Sequence, residues 1–260
     1  MLSKNKLKYI RSLSLKKNRD ADNVFIAEGP KVVGDLMGCF PCKMLLGTSE
    51  YLANHPYLKA EEIVEVEQKE LEQASSLKTP RDTMAIFSQE RIANVHLDNV
   101  CTLQPLSLAL DDVQDPGNLG TIIRLADWYG IEHIYCSLHC ADAYSSKVIQ
   151  ATMGAIARVQ IHYVDLVDFI QQQSGKTDIY GTFLDGQDMY QDDLSAGGLI
   201  VMGNEGNGIS PEIERLVNRK LYIPNYPQGQ QTSESLNVAV ATAITCAEFR
   251  RQSLVRTSHK

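Results

Sequence analysis

A glycine-rich segment of this 260-residue chain combines residue types that suit contact with a small ligand. The apolar run Leu199–Met202 ends in Gly203–Gly208, with Glu205 between the glycines. Apolar runs that end this way are typical of buried parallel strands, and open α/β sheets bind ligands at that edge. The spacing matches neither a P-loop nor the dinucleotide fingerprint. Because a carboxylate suits hydroxyl, amino or guanidinium groups, we predict a ligand pocket, with a plain turn as the alternative.

A second polar segment, Asp115–Arg124, lies at the start of a predicted helix. Asn118 occupies the position of a helix N-cap, which is one interpretation of its role. Arg124 follows six residues later and points roughly away from Asn118 around the helix axis. Since Arg124 stands between Ile123 and Leu125, we expect it to have a dedicated polar partner, although an ordinary surface arginine is the simpler interpretation.

A third segment joins a short apolar strand to the last helix. Leu221–Pro224 is followed by a glutamine-rich loop and then by Ser235-Leu236-Asn237, where a helix over residues 235–254 is predicted to begin. That helix carries a stripe of small residues, mainly alanine and valine. Small residues permit close approach of a neighbouring helix, so the stripe indicates a packed core helix, a subunit interface or both.

The elements that position these segments alternate between strands and helices. Continuous apolar strands in the second half predict a parallel sheet with helices on both faces. The first part of the chain predicts a smaller α/β domain that starts with a helix over residues 3–18, and a helix over 145–157 is placed in the larger domain. The expected divisions are an N-terminal domain at 1–92, a connection at 93–104 and a second domain at 105–256.

The charge distribution sets the start of the chain apart from the rest. The net charge of −7 argues against nucleic acid as a partner, yet residues 1–20 hold seven basic residues and one acid, Asp20. Such a segment can meet RNA phosphates locally, and a solvated helix face explains the same charges equally well. The candidate RNA-binding residues are Lys4, Lys6, Lys8, Arg11, Lys16 and Lys17.

Cysteine usage and hydropathy predict a cytoplasmic protein. The six cysteines are scattered and lack the dense spacing of a secreted disulfide framework. No apolar run is long enough to span a membrane. Cys39 and Cys42 form a lone CxxC that precedes a predicted strand and lacks a second pair to complete a zinc site. We therefore expect free thiols, no metal and no membrane association.

Taken together, residues 115–131, 199–210 and 221–244 resemble the SpoU (TrmH-like) family of SPOUT RNA methyltransferases in motif content, order and spacing. The resemblance implies a parallel-sheet α/β domain with a deep trefoil knot, preceded by a small ribosomal-protein-like domain that binds RNA. It also implies S-adenosyl-L-methionine as cofactor and a homodimer formed through the last helix. The implied reaction is methyl transfer to a ribose 2′-hydroxyl of structured RNA, either ribosomal RNA or tRNA.

The resemblance also implies roles for individual residues. The candidate catalytic residues are Arg124, Asn118, Glu205, Ser235 and Asn237. The candidate cofactor-binding residues are Thr182, Phe183, Leu184, Gly203, Asn204, Gly206, Ile223 and Leu236. An arginine with a pKa of roughly 12.5 or higher is a poor general base, so we expect Arg124 to stabilise the incipient alkoxide and a neighbouring phosphate, held in place by Glu205. Two alternatives remain: a catalytically silent RNA-binding member, and an α/β enzyme that uses another nucleotide cofactor.

Overall fold

The computed structural model describes residues 2–89, 106–227 and 235–258, with side chains up to residue 256. The predicted connection at 93–104 and part of the glutamine-rich loop, residues 228–234, lie outside these ranges. The chain forms two compact units. The first comprises Met1–Arg91 with Asp142–Ala157, and the second comprises Ile92–Ala141 with Arg158–Lys260.

The first unit is a small α/β fold, as the sequence predicted. Its described sheet has the order β1-β4-β2-β3, in which β4 runs antiparallel to both neighbours and β2 pairs parallel with β3. The strands are β1 (Val24–Glu28), β2 (Cys42–Gly47), β3 (Glu62–Glu65) and β4 (Thr83–Ser88). The helices are α1 (Lys4–Ser12), α2 (Lys16–Asp22), α3 (Pro30–Leu36), α4 (Ser49–Asn54) and α5 (Gln68–Ala74).

The single helix predicted over residues 3–18 is wrong, because α1 and α2 are separate. The break has a physical cause in the buried side chain of Arg19. Its guanidinium donates to the carbonyl oxygens of Leu13 and Ser14 at 2.7 and 2.8 Å. These bonds satisfy backbone acceptors that a continuous helix would have used.

A later stretch of the chain also belongs to the first unit. The sequence placed a helix over 145–157 in the second domain, but the segment packs on β1, where the Gln150 amide donates to the Glu28 carbonyl oxygen at 2.8 Å. The helix itself, α7 (Ser146–Thr152), is shorter than predicted. It ends because Met153 and Gly154 adopt left-handed φ angles of 51° and 90°, and a 3-10 turn follows at Ala155–Ala157.

The second unit confirms the predicted parallel sheet. Its six described strands are all parallel and have the order β10-β8-β9-β5-β6-β7. The strands are β5 (Leu106–Leu110), β6 (His133–Ser137), β7 (Gln160–Val164), β8 (Ile179–Asp188), β9 (Gly198–Met202) and β10 (Arg219–Tyr222). The helices are α6 (Pro116–Trp128), α8 (Leu166–Gln173), α9 (Pro211–Glu214) and α10 (Val238–Ser258). Because β5 and β9 are neighbours, the loops that follow them leave the sheet side by side.

The pairing of β8 with β10 contains a large irregularity. Lys220 pairs with Gly181, but the next residue, Leu221, pairs with Gln187. Residues 182–186 therefore lie outside this ladder, in the region where the cofactor residues were predicted. At Gly186 a Cβ atom would lie 2.4 Å from the backbone carbonyl carbon of Leu221, so only glycine fits this approach. The knot implied by the resemblance stays a prediction.

Helix α10 packs against α6 and begins at Val238, three residues later than predicted. Its first turns are partly buried in the unit, at Val238, Ala239 and Ala241, so the stripe is in part a core feature. Other positions on the helix are open to solvent, and Val240 and Leu254 are 48% and 70% exposed. The Arg250 guanidinium donates to the Tyr129 carbonyl oxygen at the end of α6. In the part of the chain that the structure describes, no helix is both long and apolar enough to cross a membrane.

Candidate active site

The start of α6 is capped by Asp115 rather than by Asn118. The Asp115 carboxylate accepts a hydrogen bond from the Asn118 backbone N–H at 2.8 Å, and Pro116 occupies the first helical position. Proline favours that position because it has no N–H to satisfy. The capping interpretation of Asn118 is therefore wrong, and its side chain is free for other contacts.

A chain of hydrogen bonds joins three of the predicted catalytic residues. The Asn118 amide nitrogen donates to Glu205 Oε1 at 2.9 Å, and the Asn237 amide nitrogen donates to Asn118 Oδ1 at 2.9 Å. The Asn237 side-chain oxygen Oδ1 in turn accepts from the backbone N–H groups of Ala239 and Val240, at the start of α10. This capping fixes the orientation of the Asn237 amide, which then fixes that of Asn118.

This chain brings together three segments that are distant in sequence. Asn118 comes from α6, Glu205 from the loop after β9 and Asn237 from the start of α10. Glu205 Oε1 also lies 3.4 Å from the Asp115 backbone N–H, and its carboxylate is exposed. The arrangement therefore presents an oriented carboxylate and two oriented amides at the carboxyl edge of the sheet.

The loop after β9 is shaped by Asn204 and Gly203. The side-chain oxygen of Asn204 accepts from the N–H groups of Gly206 and Asn207, and its amide nitrogen donates to the Asp112 carbonyl oxygen. With these bonds, the Asn204 side chain acts in forming the loop. A Cβ at position 203 would lie 2.2 Å from the carbonyl carbon of Gly208, so glycine is required there.

Asp111 is a residue that sequence reasoning missed. It follows β5, is 6% exposed, and its carboxylate accepts from the Ser210 backbone N–H at 2.7 Å. That bond ties the end of the glycine loop to the end of β5. An aspartate directly after an apolar strand was the signal that could have identified it.

The residues predicted to bind S-adenosyl-L-methionine fit such a ligand in two respects. Backbone groups at 182–186 are outside the β8–β10 ladder and can therefore hydrogen bond to a ligand. Apolar side chains flank the loops, since Leu184 and Leu236 are 78% and 47% exposed, while Ile223 is half-buried. Ligand pockets combine such apolar cover with a few backbone donors and acceptors.

Two predicted side chains are arranged differently from Leu184. The Phe183 ring packs against a cluster of buried apolar residues, and the Lys220 ammonium lies 4.7 Å from its centroid. These contacts of the Phe183 side chain anchor this segment of β8 and leave its backbone as the part that a ligand can reach. Thr182, the other residue, is half-buried.

Arg124 does not contact Glu205 in this structure. It is exposed on α6, and no described residue forms a hydrogen bond or ion pair with it. The expectation of a dedicated partner within the described chain is wrong. Ile123 is buried and Leu125 half-buried, whereas the side chain of Arg124 lies on the exposed side of the helix. Ser235 is also exposed, just before α10.

Two of the basic residues near the N-terminus have contacts within the first unit. Lys6 pairs with Glu62, and Arg11 donates to the Gln73 carbonyl oxygen at 2.7 Å. All members of the set except Lys6 are exposed, namely Lys4, Lys8, Arg11, Lys16 and Lys17. Their role in RNA binding stays a prediction.

Comparison with known proteins identifies the family to which this site belongs. A model of the SpoU rRNA methylase family matches residues 105–247, more than half of the chain. The chain belongs to the SpoU rRNA methylase family. A second model, described as an MRM3-like substrate binding domain, matches residues 4–85.

Relatives of similar length support the same family. The chain is 28% identical over 250 residues to the 23S rRNA (guanosine(2553)-2′-O)-methyltransferase RlmP of Bacillus subtilis, covering 94% of this chain and 96% of that protein. It resembles the structure of a putative TrmH-family RNA methyltransferase from Porphyromonas gingivalis, with 40% identity, a TM-score of 0.86 and coverage of 97% and 99%. An AdoMet-bound rRNA methyltransferase from Sinorhizobium meliloti gives 32% identity, a TM-score of 0.83 and coverage of 96% of each chain.

These findings confirm the predicted family, the α/β fold with a parallel sheet and the enzyme class. The SpoU member described here is an RNA methyltransferase that uses S-adenosyl-L-methionine for ribose 2′-O-methylation. The alternative of an α/β enzyme that uses another nucleotide cofactor is thereby excluded. The roles of the individual site residues are a separate matter, and they rest on the geometry described above.

Proposed function

We propose that this protein methylates the ribose 2′-hydroxyl of a nucleotide in large-subunit ribosomal RNA. The single observation that carries the proposal is the hydrogen-bonded chain of Glu205, Asn118 and Asn237, since it assembles a polar site from the three family motifs. The choice of ribosomal RNA is supported by the full-length relative RlmP, which is named for a guanosine of 23S rRNA. Transfer RNA is the second candidate.

Methyl transfer requires an oxygen nucleophile in line with the bond that breaks. S-adenosyl-L-methionine, when bound, supplies an electrophilic methyl group on a sulfonium. We propose that the backbone at 182–186, the loop from Gly203 to Gly206, Ile223 and Leu236 hold it. The 2′-hydroxyl must then be positioned and its developing negative charge stabilised, which are tasks for oriented polar groups in the protein.

We assign the positioning of the ribose to the exposed carboxylate of Glu205 and the amides that orient it. A carboxylate can accept a hydrogen bond from a ribose hydroxyl, and Asn118 together with Asn237 holds that carboxylate in one orientation. Ser235, exposed beside Asn237, supplies a further hydroxyl at the same edge. The role of Arg124 in this proposal is charge stabilisation: an exposed guanidinium without a partner in the described chain is available to a phosphate or an alkoxide.

We also propose a homodimer formed through α10. The exposed residues Val240, Ala247 and Leu254 recur every seven positions on one side of this helix, and Trp128 of α6 is 83% exposed. Burying these side chains in a partner would remove apolar surface from water. A cytoplasmic location is part of the same proposal, and its support is that the described cysteines are free thiols.

The test of the proposed reaction uses purified protein, radiolabelled S-adenosyl-L-methionine and ribosomal RNA from cells that lack the gene. We expect label to enter the large-subunit RNA at a nucleotide that becomes resistant to alkaline cleavage, since a methylated 2′-oxygen can no longer attack the adjacent phosphate. Transfer RNA from the same cells is the parallel substrate. Binding of the cofactor without label transfer to any RNA would favour the catalytically silent alternative.

A further inference from the structure

A cleft in the first unit lies outside the candidate active site. It has a volume of about 530 Å³. One side is formed by α3 and the residues just after it, and the other by α4 and the segment that follows it up to Lys59. Its wall contains three aromatic rings, Tyr51, His55 and Tyr57, and two lysines, Lys31 and Lys59. The volume is within the range of small-ligand pockets, which hold roughly 300–1,000 Å³.

The three rings form a graded platform from the core to the solvent. Tyr51 is 5% exposed, and the His55 ring stacks on it with centroids 4.3 Å apart and planes at 26°. A hydrogen bond of 2.8 Å between His55 Nδ1 and the Tyr51 carbonyl oxygen fixes the His55 ring. Tyr57 follows at 5.9 Å from His55, tilted by 59°, and is 69% exposed. A large ring held in solvent beside a stack is suited to stacking on a planar ligand.

The charges around the cleft favour a ligand that carries phosphate. Lys31 forms an ion pair of 2.8 Å with Asp35 on the same helix. Lys59 is exposed and has no hydrogen bond or ion pair with any residue in the described ranges. In a chain with a net charge of −7, an uncompensated lysine beside the exposed Tyr57 ring is a local site for an anion. Asp35 adds an acceptor that amino or imino groups of a base can use.

Gly34 leaves one wall of the cleft open, although neither backbone conformation nor packing requires glycine at this position. It lies inside α3 with ordinary helical geometry, and a Cβ placed on it would meet no atom within 4 Å. Glycine inside a helix is unfavourable by roughly 1 kcal/mol relative to alanine, so helix stability does not explain it. An open wall beside an aromatic platform explains it directly.

We propose that this cleft binds a single unstacked nucleotide of the substrate RNA, with its base on Tyr57 and His55 and its phosphate at Lys59. Recognition of single-stranded RNA relies on such pairing of aromatic rings with cations. The inference rests on the proposed function, because it takes RNA as the ligand. It adds a second contact site, in a different unit from the methyl-transfer residues.

The test measures binding of the full-length protein to two fluorescein-labelled RNAs by anisotropy: a hairpin with an eight-nucleotide single-stranded loop, and a fully paired duplex. Replacing Tyr57 with alanine weakens hairpin binding by about 5- to 150-fold, the range for loss of one stacked base, and leaves duplex binding unchanged. Tyr57→Phe retains the ring and binds as the native protein does. Since Tyr57 is 69% exposed, its removal leaves the thermal midpoint unchanged.

Two further variants separate shape from charge. Gly34→Leu fills the cleft without removing any existing group, and it weakens hairpin binding as Tyr57→Ala does. Lys59→Ala lowers the slope of log K against log salt by about one. Tyr190→Ala, at a 51% exposed tyrosine of the other unit, is the matched control and changes nothing. With ribosomal RNA as methyl acceptor, Tyr57→Ala raises KM for RNA and leaves kcat unchanged.

The inference is overturned if Tyr57→Ala and Gly34→Leu bind the hairpin as tightly as the native protein. It is also overturned if only free nucleoside monophosphates respond to these variants, which would make the cleft a site for a free nucleotide. The binding measurement requires no methyl transfer. A native protein that binds the hairpin through this cleft but transfers no methyl group would therefore refute the proposed function alone.

Discussion

Asn237 has two separable tasks, and replacing it with aspartate removes only one of them. Its side-chain oxygen caps α10 by accepting from the N–H groups of Ala239 and Val240 at 3.0 and 3.3 Å. Its amide nitrogen orients Asn118. Aspartate caps helices as well as asparagine does, and its charge at a helix N-terminus is favourable by about 0.3–1 kcal/mol. Aspartate has no donor for Asn118, and that loss is worth about 1 kcal/mol.

The two effects on stability nearly cancel for Asn237→Asp, so we expect its free energy of unfolding to stay within about 0.5 kcal/mol of native. Asn237→Ala loses the cap and the bond together, at about 2 kcal/mol in total, which lowers the thermal midpoint by roughly 4–8 °C. The catalytic activity of Asn237→Asp should not follow its stability. With aspartate, Asn118 must turn its amide nitrogen toward residue 237 and its oxygen toward Glu205, which disorders the carboxylate.

We therefore expect Asn237→Asp to lower kcat at least tenfold, equivalent to about 1.4 kcal/mol in the barrier, while its melting curve is unchanged. The assay is methyl transfer under saturating cofactor and RNA, paired with thermal unfolding of the same preparations. A native kcat in Asn237→Asp would show that orientation of Asn118 and Glu205 is not needed for the reaction. A stability loss equal to that of Asn237→Ala would refute the capping argument.

Three other changes test the fold around the site. Gly203→Ala places a methyl group 2.2 Å from a backbone carbon, so the loop must open. We expect the free energy of unfolding to fall by about 1–3 kcal/mol and cofactor binding, measured by calorimetry, to weaken. Normal cofactor binding would contradict this argument. Asp142→Ala leaves the buried Arg19 without its carboxylate partner, and we expect about 3 kcal/mol of destabilisation in denaturant titrations, with a smaller loss for Asp142→Asn. Burial, together with the neighbouring His133, lowers the pKa of His162 from 6.5 to about 4. The folded state therefore binds fewer protons than the unfolded chain, and the stability from this group falls as pH drops from 6.5 toward 4; His162→Phe should flatten that part of the stability profile, and an unchanged profile would refute the assignment.

The parts of the fold that the sequence predicted are those with local signals. Continuous apolar strands alternating with helices identified the parallel sheet, in which β5 and β9 are buried along their whole length. The order of polar motifs placed Asn118, Glu205 and Asn237 at strand ends and helix starts, and the structure brings them into contact. Proline at the first position of α6 was the available sign that Asp115 is the cap.

The remaining features depend on contacts between residues far apart in sequence. The ion pair between Arg19 and Asp142 spans 123 positions and belongs to the segment that joins the first unit, which no local pattern reveals. The end of α7 at Met153 depends on a left-handed conformation that methionine rarely adopts. Arg124 was expected to be paired because of its apolar neighbours, but helical geometry turns adjacent residues to different faces.

Mapping of ribose methylation in total RNA from cells with and without the gene tests the central claim most directly. We predict the loss of 2′-O-methylation at a single nucleotide of large-subunit ribosomal RNA in the cells that lack the gene. Native protein should restore it, and Asn237→Asp protein, although folded, should restore it poorly. Identical methylation maps in the two kinds of cell would contradict the assignment of this protein as a ribosomal RNA 2′-O-methyltransferase.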